Sequence, residues 1–111
     1  MKLPTKLQVD NLLEHYHNFR YSDAEELAIS MTQEFPEFPI SWKVLGAVLM
    51  RTCRMPDALV VNQKSVELVP NDFEAHYDLG IVLQELGRFE ESEVSLRAAV
   101  QLNPDFIEGY Y

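Results

Sequence analysis

Trp42-Lys43-Val44-Leu45-Gly46-Ala47-Val48-Leu49 is the stretch that decides the fold, because it returns 34 residues later as His76-Tyr77-Asp78-Leu79-Gly80-Ile81-Val82-Leu83. Leucine, glycine and leucine keep their places in both copies, and Ala58 returns as Ser92. Pro36, Pro70 and Pro104 hold the same interval, and Glu-Phe-Pro-Glu-Phe around the first matches Leu-Asn-Pro-Asp-Phe around the last. A fixed interval of this length marks a repeat array, in which each unit buries its apolar face against its neighbours. Three units follow, at about 5–38, 39–72 and 73–106, with the start of a fourth, truncated unit at 107–111. The first is the faintest; its Phe19-Arg20-Tyr21-Ser22-Asp23-Ala24-Glu25 lies over Gly87-Arg88-Phe89-Glu90-Glu91-Ser92-Glu93 at twice the interval.

Within a unit, apolar residues recur at spacings of three and four, as in Trp42, Leu45 and Leu49 or Leu79, Val82, Leu83 and Leu86, which predicts amphipathic helices. Each unit holds two. Gly87 marks the break between them, since a residue that tolerates positive φ ends a helix cheaply, and Phe19 and Cys53 fill the same slot less comfortably. Pro56 falls just inside a second helix, where its missing N–H costs nothing. Thr5-x-x-Gln8, Asn71-x-x-Glu74 and Asp105-x-x-Glu108 read as caps at the starts of first helices. Gly46, Gly80, Ala24, Ala58 and Ser92 are small where helices must approach closely; Leu12, in the first unit's glycine slot, is expected to splay that pair.

On these residues the chain resembles the tetratricopeptide repeat family, whose unit reads W-x2-L-G-x2-Y, then A-x3-F, then P. The second unit carries Trp42, Leu45, Gly46, Ala58 and Pro70, with Leu49 for the tyrosine and Asn62 for the phenylalanine. The third keeps Leu79, Gly80 and Pro104, with His76, Leu83, Ser92 and Leu96 as replacements, and the first keeps Ala24 and Pro36. The resemblance implies an all-α fold, a right-handed superhelical solenoid of antiparallel helix pairs forming a single domain, drawn from a longer protein of the family. At the C-terminal end Val94, Leu96, Val100 and Leu102 would then lack part of their cover, so homo-oligomers through that end are expected, which a strictly monomeric mass at high concentration would contradict.

Charge and composition exclude other classes. Lys and Arg number 9 against 18 Asp and Glu, a net charge of −9, which speaks against a nucleic-acid partner and an anionic membrane surface. No apolar run approaches the ~20 residues of a membrane span, and no apolar run follows the basic residues at the N-terminus, so a cytoplasmic location is expected. One cysteine, Cys53, cannot close a disulfide within the chain. It sits at a turn between Arg51 and Arg54, with no base or oxyanion arrangement beside it. His15 and His17 are two apart and point away from one another on a helix, while His76 takes a packing slot, so no metal, cofactor or catalytic group is expected.

The resemblance implies that first helices line a concave groove. The groove slots in this sequence are Val9, Leu13, Tyr16 and His17, then Lys43, Ala47, Met50 and Arg51, then Tyr77, Ile81, Gln84 and Glu85, with Lys6, Ile40 and Glu74 at their N-terminal edge. Lys6, Lys43 and Arg51 against Glu74 and Glu85 would suit a peptide with an acidic or carboxylate end and a basic other end. Co-chaperones of the family hold a terminal carboxylate with lysines, asparagines and an arginine. Here Val9, Leu13, Val44 and Asp78 occupy clamp slots, so that clamp is not expected. The expected function is a non-catalytic protein or peptide scaffold. The alternatives are the substrate-recruiting arm of a larger glycosyltransferase or sulfotransferase type of enzyme, and self-assembly by end-to-end stacking.

Overall fold

The computed structural model describes residues 2–105, which form six helices: α1 (Lys6–His17), α2 (Tyr21–Glu34), α3 (Pro39–Arg51), α4 (Met55–Leu68), α5 (Phe73–Glu85) and α6 (Phe89–Leu102). Successive helices pack along the whole chain, and α1 also meets α3, as α3 meets α5. The odd-numbered helices therefore make one row whose members touch, and the even-numbered helices form a second row behind it. A two-layer stack curves toward the row that is closer together, so α1, α3 and α5 form the inner face. The core lies between the rows, built from Leu12, Ala24, Ala28, Met31, Val48, Ala58 and Val82.

The turn inside each pair has one geometry. Phe19, Cys53 and Gly87 take φ of 61°, 60° and 78°, and in each turn the next residue's N–H returns to the first helix: Arg20 to the His15 carbonyl at 2.9 Å, Arg54 to Leu49 at 2.8 Å, Arg88 to Leu83 at 2.8 Å. This is a helix stop that satisfies orphan carbonyls with a left-handed residue, made here by phenylalanine and cysteine as well as glycine.

The joints between units repeat too. Trp42 Nε1–H donates to the Pro36 carbonyl at 2.9 Å, and His76 Nε2 lies 2.7 Å from the Pro70 carbonyl. With a carbonyl as partner, that histidine nitrogen must be the protonated one. The imidazole thus reproduces the indole's hydrogen bond, which explains how histidine fills the tryptophan slot.

Small residues mark the tightest crossings. A Cβ on Gly46 would stand 1.9 Å from Asn62 Oδ1, and one on Gly80 would stand 2.6 Å from a Leu96 methyl. Ser92 is buried and its hydroxyl donates to the Gly80 carbonyl at 2.7 Å. Leu12 is fully buried, and α1 and α2 approach each other least closely of the three pairs.

Two sequence expectations change, the cap of α5 and the cover of Val100. The cap of α5 is Asp72, whose carboxylate accepts from the Glu74 N–H at 3.0 Å, and not Asn71; two Asx residues in succession leave the register open, and the extended backbone of Asp72 settles it. Thr5 does form the reciprocal box with Gln8. Val100 is buried, while Val94 and Leu102 are exposed on α6. The cap at Asp105 with Glu108, and the fourth unit at 107–111, involve residues outside those described.

Candidate binding groove

The inner face holds a cleft of about 370 Å³ lined by Leu13, Tyr16 and His17 of α1, Ile40, Lys43, Val44 and Ala47 of α3, and Glu74 and Asp78 of α5. Three helices from three units thus contribute to one surface. The lining positions on each helix fall three and four apart, so each helix turns a single stripe toward it.

Of the residues expected in the groove, Leu13, Tyr16, His17, Lys43 and Ala47 line this cleft together with the edge positions Ile40 and Glu74. Val9 and Met50 pack partly against the core, and Met50 sulfur accepts from Asn62 Nδ2 at 3.5 Å. Arg51 is exposed and lies beside Tyr16, whose interaction with the guanidinium holds the arginine above its ordinary pKa. Tyr77 and Ile81 are half-buried on α5 and Gln84 and Glu85 are exposed, all outside the cleft lining. They occupy the third unit's versions of the Lys43, Ala47, Met50 and Arg51 slots. Val44 and Asp78, which the sequence placed only in the slots of a carboxylate clamp, also line the cleft. They are one slot, 34 residues apart, next to Lys43 and Tyr77, and the i+4 step from Glu74 to Asp78 was the signal that could have found the second.

The electrostatics differ from the sequence expectation. Lys43 Nζ sits 2.8 Å from Asp72 and 3.5 Å from Glu74. Burial works against its charge, but the hydrogen bond it donates to Asp72 and the field of both carboxylates outweigh it and hold its pKa above the ordinary lysine value. Lys6 pairs with Asp10 at 3.0 Å on its own helix.

The Asp78 carboxylate, by contrast, makes no hydrogen bond and no close ion pair among the described residues. Burial pushes its pKa up to about 6, Glu74 and Asp72 push the same way, and Lys43 and Arg51 pull it back. At neutral pH it is largely ionised, half-buried and without a close partner. Asp78 thus lies within the field of the carboxylates Asp72 and Glu74 and of the cations Lys43 and Arg51.

The histidines do not converge. His15 Nδ1 accepts from Arg20 Nε at 3.0 Å, His17 lines the cleft, and His76 is at a joint between units. Among the described residues no three His, Cys, Asp or Glu side chains are grouped to hold a metal ion.

Residues 73–106 match the family model for the tetratricopeptide repeat. The fold is likewise that of the first tetratricopeptide domain of Spaghetti (RPAP3) bound to the HSP90 peptide SRMEEVD, with a TM-score of 0.88 over 94% of this chain and 82% of that one. The fold is that of a tetratricopeptide-type solenoid of helix pairs. Similar structures include MamA from Desulfovibrio magneticus RS-1, at TM-score 0.86 and 22% identity over 93% of this chain, and the Yersinia enterocolitica type III secretion chaperone SycD in complex with a peptide of the translocator YopD, at TM-score 0.84 and 16% identity over 93% of this chain. This chain spans 58% of the length of the MamA chain and 79% of SycD. Spaghetti is 15% identical, so the likeness in each case is one of fold. No curated protein sequence matches the chain. No helix among the described residues is long and apolar enough to cross a membrane.

Proposed function

We propose that this chain is a binding scaffold whose inner face takes up a segment of another polypeptide. The observation that carries the reading is the cleft itself: three helices meet there in a concave surface with apolar walls at Leu13, Ile40, Val44 and Ala47 and charged groups at Lys43, Glu74 and Asp78. Apolar walls supply area to bury, and a few placed polar groups fix orientation. Two proteins of the same fold, Spaghetti and SycD, are seen with peptides bound, which supports polypeptide as the class of ligand. Tyr77, Ile81, Gln84 and Glu85 extend the surface along the third unit. The role is capture rather than chemistry. A recruiting arm of a larger enzyme would use the same surface and differ only in what happens to the captured chain.

Ala47→Arg, in the cleft, and Val60→Arg, on an exposed site of α4, separate the inner face from the rest of the surface. Polypeptides retained by the wild type and by Val60→Arg, but lost with Ala47→Arg, are the expected result. Equal retention by all three would move binding off the inner face.

A further inference from the structure

Resting on the reading of the inner face as a peptide groove, we propose that the captured segment presents a lysine or arginine, whose cation meets Asp78 while its aliphatic stem lies along Val44 and Ala47. Asp78 is the carboxylate in the cleft without a close partner; Asp72 and Glu74 already hold Lys43. A half-buried carboxylate covered by an apolar ligand would lose its remaining water and gain nothing in return. A basic side chain supplies the missing donor and also an apolar stem that matches the cleft wall.

Other occupants fit less well. An acidic peptide end would face Glu74 and Asp78, and at Lys43 it would compete with two carboxylates already in place. A second copy of this chain, at a net charge of −9, is repelled at long range, whereas a basic segment is drawn in by the same field.

The test is selection from a random-peptide display library on the whole chain, followed by titration of one selected synthetic peptide against the wild type, Asp78→Asn and Ala47→Arg. Asp78→Asn is close in shape, so the helix and cleft persist, which a thermal melt verifies. The expected result is enrichment of lysine or arginine at one position, loss of binding in Ala47→Arg, and about tenfold weaker binding in Asp78→Asn. Replacing the basic residue of the peptide by glutamine should cost the wild type a similar factor and cost Asp78→Asn almost nothing, the sign of a direct pair. Peptides blocked by Ala47→Arg but without a basic preference, or indifferent to Asp78→Asn, would overturn this inference and leave the groove reading standing. Peptides indifferent to Ala47→Arg, or no peptides at all, would overturn both.

Discussion

The first and third helix pairs solve one packing problem with opposite residues. In the third pair the first helix contributes Gly80 and the second fills the space with Leu96. In the first pair the equivalent positions are Leu12 and Ala28, both fully buried, so the large residue has moved to the other side of the contact. The middle pair, with Gly46 against Asn62, follows the third. The turns show the same contrast: Phe19 and Gly87 share a left-handed backbone, although only glycine adopts it without strain. What the repeat preserves is therefore summed volume and backbone path, and the identity of each residue is secondary.

That comparison breaks most severely at Leu12. Leu12→Ala leaves two small residues facing one another, and a loss of about 3 kcal/mol in urea unfolding is expected from the lost burial and the cavity. A loss under about 1 kcal/mol would show that the pair closes over the gap.

The charges of the two units diverge as well. Glu25, on α2, is held below its ordinary pKa chiefly by the hydrogen bonds from Arg54, partly offset by burial. Its contribution is present above the unfolded glutamate value and is lost as pH falls. Asp78 is raised from 3.8 to about 6, so the folded state binds the proton more tightly; its contribution to stability is full below pH 3.8 and is lost as pH rises through 6. Asp78→Asn should remove that decline and stabilise the fold at pH 8 by about 2 kcal/mol, after allowance for solvent at the cleft mouth. Denaturation midpoints of both proteins at pH 4 and pH 8 check it, with little gain at the lower pH.

Gly80→Ala tests the third pair's side of the swap. The new methyl meets the end of the Leu96 side chain, which can shift only partly, and a cost of about 1.5 kcal/mol in thermal or urea unfolding is expected. Joining it to Leu96→Ala, which imitates the first pair, should give less than the summed losses. The smallest effect is at the turns. Phe19→Gly should stabilise by about 1 kcal/mol, because Phe19 is 76% exposed and gives up little packing for relief of its positive φ; Gly87→Ala should cost about as much, since its Cβ meets nothing and only the backbone objects.

The turns, the small residues and the proline joints were legible in the sequence because each is fixed by local chemistry repeated at one interval. Phe19 and Cys53 could be assigned to a left-handed slot from Gly87 alone. The Leu12–Ala28 exchange was not legible as compensation, because aligning units compares like with like and not one helix with its partner. The groove's ion pairs were not legible for a related reason. Lys43 meets Asp72, the cap of the next first helix, across 29 positions, and no spacing rule within a helix foretells that pair. The cap at Asp72 was a one-residue slip between adjacent Asx side chains, which the backbone and the side-chain hydrogen bond of Asp72 decide.

The most direct test of polypeptide capture by the inner face is amide and methyl chemical-shift mapping of the labelled chain titrated with a selected peptide. The expected result is shifts concentrated at Leu13, Ile40, Val44, Ala47 and Asp78, with Val60 and Val94 on the even-numbered helices unmoved. Shifts confined to Val60, Val94 and their neighbours would contradict it.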